Sequence, residues 1–587
     1  MMCFSGGILM TRAQDLYRFW TTHPAFDAGT RDELLAIADN REEIEDRFYT
    51  DLQFGTAGLR GILGAGTNRM NPYTVARAAE GFARYLAGQG EAIRNRGVVI
   101  SFDSRRYSTV FARMTALIFV NHGIRVRLSD ELRPVPMLSF AIRHFHAAGG
   151  VMITASHNPA KYNGFKAYGG DGAQFPPEGA DQVSRFMDSI DDPTKVTWPD
   201  EAAARASGLL TTFGSDIDEA YNAMLLKQAI NPDAVKRQSD LKIIYTPLHG
   251  AGNKPVRRVL ADLGFKHVLV VPEQEKPDPA FSTVAFPNPE ERSALKMAIE
   301  LAEREDADLV IATDPDADRT GLCVRSREGK YIILSGNQTG LLLTDYILSA
   351  RQASGTLPAR SFVISTIVST RLTRKIAASF GVTLFECLTG FKFIAELIKE
   401  HEEDGDMHFQ FGFEESFGYL AGHDVRDKDA VVTSMLIGEM AASARERGLT
   451  LYDLLQDLFA RYGYAAEKTI AITLEGKEGI DRIRQGMASL RSQKAAGLPG
   501  LPVLAVCDYL EKSRLDLTTG GSSPLDLPES DVLVYELAGL DWFCARPSGT
   551  EPKIKIYFGV YGPHAADCEE RLTRLVSQVE GQIRAIL

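Results

Sequence analysis

The run Gly149-Gly150-Val151-Met152-Ile153-Thr154-Ala155-Ser156-His157-Asn158-Pro159 reads as a short buried strand that delivers one serine hydroxyl to a sharp Asn-Pro turn. A serine at the C-terminal end of such a strand sits where open α/β sheets place their chemistry. Lys166 follows within Asn163-Gly164-Phe165-Lys166, so Ser156 and Lys166 pair a nucleophile or phosphate carrier with a proton shuttle. Far along the chain, Asp314-Pro315-Asp316-Ala317-Asp318-Arg319 offers three carboxylates at alternating positions, where a loop can fold around one hard cation. Oxygen-only ligands favour magnesium, which keeps open positions for phosphate oxygens. A calcium loop fails on spacing: Arg319 stands where an EF-hand needs Gly, and Arg325 where it needs Glu. Taken alone this is an acidic surface turn, but the apolar Leu309-Val310-Ile311 leading into it argues for a site. Arg319 is then a charge partner of the acids or a ligand for a bound phosphate.

Two further loops carry polar chemistry. Arg546-Pro547-Ser548-Gly549-Thr550-Glu551-Pro552 combines a guanidinium fork, two hydroxyls and a glycine that frees backbone N–H groups, the parts of a phosphate cradle. Read without context it is an ordinary turn between strands. Glu414-Glu415-Ser416 follows an aromatic strand; it either starts a helix or supplies the bidentate contacts that read a sugar's vicinal hydroxyls.

The elements that position these loops alternate in a β-α-β rhythm. Residues 11 to 50 read as charged helices. Strands are expected at Val98 to Phe102, Ile124 to Leu128, Leu241 to Tyr245, His267 to Val271, Asp308 to Ala312 and Phe362 to Ile367. Helices are expected from Ser108 to His122, Lys254 to Leu263, Pro289 to Arg304, Ser335 to Leu348, Thr370 to Phe380 and Asp429 to Arg447. After about residue 462 the order changes to strands at Thr469 to Leu474, Val532 to Leu537 and Lys553 to Val560, closed by a C-terminal helix. The fold class is therefore α/β, with three serial mixed-sheet domains and a C-terminal α+β domain around a central cleft. The boundaries expected are 1–210 with the serine loop, 211–334 with the acidic loop, 335–461 with the Glu-Glu-Ser loop and 462–587 with the Arg-Pro-Ser loop.

Composition narrows the class further. The chain has 587 residues, 44% hydrophobic and 24% charged, an ordinary balance for several soluble domains. A net charge of -12 argues against a general nucleic-acid or membrane-surface binder, so an anionic ligand must be held by clustered Arg and Lys. Cys3, Cys323, Cys387, Cys507, Cys544 and Cys568 are scattered without a CxxC spacing, which reads as reduced thiols of a cytoplasmic protein rather than a zinc site or disulfide framework. No apolar run reaches membrane-spanning length, and Met1 to Met10 lack the charged and apolar regions of a signal peptide; Met10 is an alternative initiator.

The four loops, in this order, resemble the signature loops of the α-D-phosphohexomutases, over roughly residues 45 to 587. With Phe54-Gly55-Thr56-Ala57-Gly58-Leu59-Arg60-Gly61, the likeness is to the long-chain branch that contains bacterial α-phosphoglucomutases and animal phosphopentomutases. The resemblance implies that Ser156 carries a phosphoryl group and that Asp314, Asp316 and Asp318 bind Mg²⁺ together with a phosphoserine oxygen. It implies isomerisation of a sugar monophosphate by two phosphoryl transfers through a sugar bisphosphate, for glucose the 1,6-bisphosphate. Lys166 is the expected general base and acid, with a pKa lowered by cationic neighbours, and His157 either shares that role or is structural. Arg60, Arg319 and Lys166 are expected to balance the negative charge. Glu414 and Ser416 would read sugar hydroxyls, and Arg546, Ser548, Gly549 and Thr550 would hold the non-reacting phosphate. Thr389-Gly390-Phe391-Lys392 resembles the family's specificity loop. Asp103-Ser104-Arg105 also matches a family stretch, where a structural salt bridge explains it equally well, and His249 has no assigned role.

The expected substrates are glucose 1-phosphate and glucose 6-phosphate, with pentose or mannose phosphates as rivals. Phe413 before Glu414, where many glucose enzymes carry glycine, bears on the sugar more than on the reaction. A glucose 1,6-bisphosphate synthase and a catalytically silent sugar-phosphate sensor are the alternatives from other classes. No nucleic-acid or membrane partner is expected, and the chain is read as a monomer or small homo-oligomer.

Overall fold

A computed structural model describes residues 11–55, 58–474, 476–494, 498–548 and 552–587. Cys3, Thr56, Ala57, Gly549, Thr550 and the first ten residues, with Met10, lie outside the described residues. The described residues form two compact units: one within 11–325, 329–333 and 418–443, the other within 326–328, 334–417 and 444–587.

The first unit contains two mixed sheets. In one, the strands run in the order Leu59–Ile62, Tyr162–Gly169, Gly149–Ile153, Val98–Phe102, Val126–Ser129, Leu210–Phe213. The last four are mutually parallel, and Tyr162–Gly169 turns back antiparallel beside the serine strand. Gly149–Ile153 is buried along its whole length, as expected of a parallel-sheet strand covered by helices on both faces. In the other sheet the order is Tyr331–Ile333, Thr320–Arg325, Leu309–Thr313, Lys242–Thr246, His267–Val270. The N-terminal helices Arg12–Thr22, Ala28–Leu35 and Arg41–Phe48 close on a small aromatic core of their own, with Trp20 stacked on Phe26 at 4.4 Å.

In the second unit, Thr383–Cys387, Ser361–Thr366 and His408–Glu414 lie side by side and parallel. Its C-terminal part is a seven-stranded antiparallel sheet, from Tyr464–Thr473 and Lys553–Gly562 at one edge to Ser522–Pro524 at the other. The helices Gly476–Gln493 and Ala565–Ile586 accompany it. Three α/β sheets and a C-terminal antiparallel one are thus the architecture expected from the pattern.

One expected element is shorter than its sequence suggests. The helix expected from Pro289 starts only at Lys296 and ends at Glu305. Residues 289–295 are drawn out of helical geometry because Pro289 lies against Gly321, where an added Cβ would come within 2.8 Å of it, and Glu290 reaches back to Arg319. Tertiary packing overrides the helical periodicity there.

Candidate active site

Ser156 sits just beyond the C-terminal end of the Gly149–Ile153 strand. Its φ of +51° is left-handed, a conformation that costs a residue with a Cβ and persists only where the surroundings impose it. Two neighbours impose it. Thr154 Oγ1 accepts the Ser156 N–H at 2.9 Å and donates to Asp103 Oδ2 at 2.7 Å. The buried Arg105 guanidinium donates to the carbonyls of Ser156 (2.5 Å), Asn158, Pro159 (2.9 Å) and Tyr162 (3.1 Å), and lies 3.2 Å from Asp103. Arg105 is therefore more than half of a salt bridge: it gathers the carbonyls of the serine loop onto one cation.

So held, Ser156 Oγ donates to Asp314 Oδ2 at 2.7 Å, and His157 Nδ1 lies 3.2 Å from the same hydroxyl. Asp314 ends the Leu309–Thr313 strand, and its other oxygen accepts the N–H groups of Asp318 and Arg319, each at 3.0 Å. That turn brings one oxygen from each of Asp314, Asp316 and Asp318 within 4.8 Å of the others. All three side chains are buried, and Asp316 Oδ1 and Asp318 Oδ1 have no hydrogen-bond partner among the described residues. Buried carboxylate oxygens left without donors cost free energy unless a cation meets them. The acidic loop therefore fits a hard divalent cation and can hold one.

The surrounding charges are arranged around these acids. Lys166, on the strand next to that of Ser156, donates to Asp316 Oδ2 at 2.7 Å and lies 3.3 Å from Asp318 Oδ2. Lys428 Nζ lies 3.3 Å from Asp318 and 3.0 Å from Asp427, whose other oxygen accepts from Tyr168 (3.0 Å) and Gln174 (3.1 Å). Arg319 pairs with Glu290 at 2.6 Å, and Arg60 donates to Asn158 Oδ1 at 2.9 Å.

Burial, reinforced by the charges of Asp316 and Asp318, raises Asp314 well above the usual carboxylate range. Burial acts on Asp318 in the same sense, but Lys428, Lys166 and Arg319 outweigh it and hold that carboxyl well below the range. Burial together with the charges of Arg319 and Arg60 keeps His157 well below the ordinary imidazole value, hence neutral.

The expectation for Lys166 needs correction. Burial would lower its pKa, but Asp316 and Asp318 outweigh burial and push it up to about 12. Its nearest partners are carboxylates, not the cations assumed from sequence.

Two residues went unread in the sequence. Lys428 and its partner Asp427 belong to Arg426-Asp427-Lys428-Asp429, a dense charge run directly before the apolar helix Ala430–Arg445; such a run at a buried helix start is the available signal. His249, unassigned from sequence, is a buried tie whose ring nitrogens meet Lys276 O at 2.9 Å and Thr283 Oγ1 at 2.8 Å.

In the second unit, Glu414 is buried at the end of His408–Glu414, and Ser416 lies in the following turn. Glu415, between them, accepts from Thr366 Oγ1 at 3.2 Å. Burial and the neighbouring Glu414 raise it to about 7, against the pull of Lys555 and Arg546. Arg546 stands opposite Lys555 in the antiparallel sheet, and the Ser548 N–H donates to Lys553 O at 2.7 Å. The start of the Gly336–Ala353 helix packs backbone to backbone on this turn: a Cβ at Gly336 would lie 2.1 Å from Glu415 O, so only glycine fits. Gly390, at φ +123°, precedes the helix Phe391–Asp404, and the buried Thr389 Oγ1 has no hydrogen-bond partner among the described residues. The first unit thus brings together Ser156, His157, Lys166, Arg60, Arg319 and the three aspartates. The second holds Thr389, Gly390, Glu414, Ser416, Arg546 and Ser548.

Comparison with known proteins gives the same direction. Models of the phosphoglucomutase/phosphomannomutase α/β/α domains I, II and III match residues 51–194, 219–329 and 335–462. A phosphoglucomutase of Staphylococcus aureus is 38% identical over 540 residues, spanning 92% of this chain and 95% of its own. One from Staphylococcus epidermidis is 40% identical over 524 residues, spanning 89% and 93%. The chain belongs to the α-D-phosphohexomutase family. Among solved structures, the phosphohexomutase fold is shared with the Paramecium phosphoglucomutase parafusin at a TM-score of 0.69 and 17% identity, covering 92% of this chain and 96% of that one. Among the described residues, no helix of this phosphohexomutase is long and apolar enough to cross a membrane.

Proposed function

We infer that the protein is a phosphoglucomutase, an isomerase that interconverts glucose 1-phosphate and glucose 6-phosphate by intramolecular phosphoryl transfer. The reading is supported by relatives of that name at 36–40% identity over about nine-tenths of the chain. The observation that carries it is the Ser156 hydroxyl bonded at 2.7 Å to a cation-ready acidic loop.

Ser156 carries the phosphoryl group in the resting enzyme. Asp314, Asp316 and Asp318 would hold Mg²⁺, which when bound would withdraw charge from the phosphoryl oxygens. Conversion of the serine hydroxyl to a phosphate ester removes the proton that it donates to Asp314 Oδ2. Arg60, Arg319 and Lys166 set positive charge against the phosphoryl group. Lys166, an ammonium between Asp316 and Asp318 in this structure, becomes a proton shuttle as the balance of charge around it changes; neutral His157 accepts or returns a proton at Nδ1, beside Ser156 Oγ. Thr389, Gly390, Glu414 and Ser416 bind the sugar, and Arg546, Ser548, Gly549 and Thr550 bind its distal phosphate. Glucose 1,6-bisphosphate is the intermediate and the activator. The enzyme works in the cytoplasm, as a monomer or small homo-oligomer.

The test is a panel of glucose 1-phosphate, mannose 1-phosphate and ribose 1-phosphate with Mg²⁺ and glucose 1,6-bisphosphate. Highest kcat/KM on glucose 1-phosphate is expected. A ribose preference would make the protein a phosphopentomutase, and bisphosphate synthesis from 1,3-bisphosphoglycerate with weak isomerisation would make it a synthase.

A further inference from the structure

In the acidic loop each carboxylate has one oxygen committed to the protein. Asp314 Oδ1 is taken by the N–H groups of Asp318 and Arg319. Asp316 Oδ2 accepts Lys166 at 2.7 Å, and Asp318 Oδ2 lies 3.3 Å from both Lys166 and Lys428. The opposite oxygens, Asp316 Oδ1 and Asp318 Oδ1, have no hydrogen-bond partner among the described residues. A carboxylate committed in this way can offer a cation only its other oxygen. One-oxygen ligation suits Mg²⁺, which demands short, near-octahedral contacts, whereas Ca²⁺ readily takes a carboxylate through both oxygens.

Two ammonium groups on one oxygen repel each other, so Asp318 Oδ2 keeps both only if each is anchored elsewhere. Lys166 is anchored by Asp316. Lys428 is anchored by Asp427, whose Oδ1 accepts both the Lys428 backbone N–H at 2.8 Å and its Nζ at 3.0 Å. Asp427 Oδ2 in turn accepts Tyr168 Oη at 3.0 Å and Gln174 Nε2 at 3.1 Å. A main-chain bridge between Tyr168 and Gln174 brings those two donors together. Tyr168 stands two residues after Lys166 on the strand Tyr162–Gly169, so both side chains leave the same face of that strand. One strand therefore reaches Asp318 twice, directly through Lys166 and indirectly through Tyr168, Asp427 and Lys428. Asp427 and Tyr168 are buried, where the low dielectric strengthens such bonds. The main chain fastens the run as well: the Ala430 N–H donates at 3.2 Å to the carbonyl of Ala317, between Asp316 and Asp318.

Resting on the reading that the three acids hold Mg²⁺, we propose that Asp427 is a positioning residue that selects Mg²⁺ over Ca²⁺: by holding Lys428 on Asp318 Oδ2, it limits Asp318 to one oxygen for the ion. Tyr168 and Gln174 keep Asp427 in place for that task. Loss of the Asp427 charge by itself weakens all divalent cations alike, whereas a released Asp318 Oδ2 favours the ion that accepts two oxygens from one carboxylate. The ratio of the two affinities therefore separates positioning from general electrostatics. A simple packing defect would lower stability without moving one ion against the other.

The experiment titrates the full-length protein separately with Mg²⁺ and Ca²⁺ by calorimetry, with circular dichroism to confirm that each variant is folded. The parent is expected to prefer Mg²⁺. In Asp427→Asn the ratio of Mg²⁺ to Ca²⁺ affinity should fall by about tenfold, the scale typical of residues that hold a metal ligand in place. Tyr168→Phe should shift it in the same direction by a smaller factor. Lys428→Met should lower the ratio as Asp427→Asn does, and the double variant should be no lower than Lys428→Met alone, because Asp427 acts through Lys428. Removing both members of a buried pair is tolerated better than removing one, so the double variant and Tyr168→Phe carry the test should Asp427→Asn not fold. An unchanged or raised ratio in the single variants, additive losses in the double variant, or a parent without preference for Mg²⁺ would overturn the proposal alone. A parent that binds neither ion would overturn the reading of the acidic loop along with it.

Discussion

Ser156 Oγ and Asp314 Oδ2 lie 2.7 Å apart, joining loops separated by 158 residues of sequence. The opposite oxygen of Asp314 is already committed to the N–H groups of Asp318 and Arg319. One carboxylate therefore shapes the acidic loop and orients the Ser156 hydroxyl. Any change of charge on Ser156 is felt first at Asp314, because among the described residues no other carboxylate accepts from that hydroxyl.

Asp316→Asn keeps the size of the side chain and halves its capacity to meet a cation. Divalent-ion affinity, read by calorimetry, is expected to fall by about tenfold or more, with kcat/KM falling in parallel. Lys166, deprived of its 2.7 Å partner, should also lose part of its raised pKa. Unchanged affinity would remove Asp316 from the ion site.

Removal of bound divalent ion from the parent protein should abolish turnover while leaving the fold intact, because the three acids have nearby cations in Lys166, Lys428 and Arg319. Circular dichroism before and after chelation, and recovery on adding Mg²⁺, check this. Loss of folded signal on chelation would give the ion a structural role instead.

Arg105→Ala removes the cation on which the serine loop's carbonyls converge and leaves Asp103 buried without its partner. Breaking a buried pair in this way costs about 3–5 kcal/mol. Denaturant unfolding should register that loss, and kcat should fall even where the protein remains folded, because Ser156 is no longer held at its left-handed φ. Arg105→Lys should restore part of the stability and little of the turnover, since one ammonium cannot reach four carbonyls as the guanidinium fork does.

Glu415 gives a pH dependence whose sign follows from its raised pKa of about 7. The folded state holds a proton there that the unfolded state has released once pH exceeds about 4.3. Its contribution to stability is thus fully present below that value and is lost as pH climbs through 7. Glu415→Gln should remove a loss on the order of 3 kcal/mol between about pH 5 and pH 8, measured by denaturant unfolding. Parallel stability curves for the two proteins would contradict it.

The architecture was legible because the strands of parallel sheets are short apolar runs ended by turn residues, as in Gly149–Ile153 and Leu309–Thr313, both buried throughout. Three of the candidate loops were legible for the same reason, each hanging directly on such a strand, whereas Arg546 lies at the end of a strand of the antiparallel sheet. Local pattern failed where distant packing decided the outcome. Pro289 to Leu295 have helical composition, but Gly321 and Arg319 claim them. The raised pKa of Lys166 depends on acids 150 and 152 residues away, and no local spacing encodes that neighbourhood. Lys428 was hidden differently, in a charge run that resembles a solvated helix start until its burial is seen.

Peptide mapping after incubation with glucose 1,6-bisphosphate labelled in its phosphates tests the role of Ser156 most directly. One phosphate per chain should appear on Ser156, leave when glucose 1-phosphate is added, and be recovered in newly formed bisphosphate; Ser156→Ala should take up none and lose nearly all turnover. A protein that isomerises at full rate with Ser156 unlabelled, or with the label retained through turnover, would contradict a serine-borne phosphoryl group.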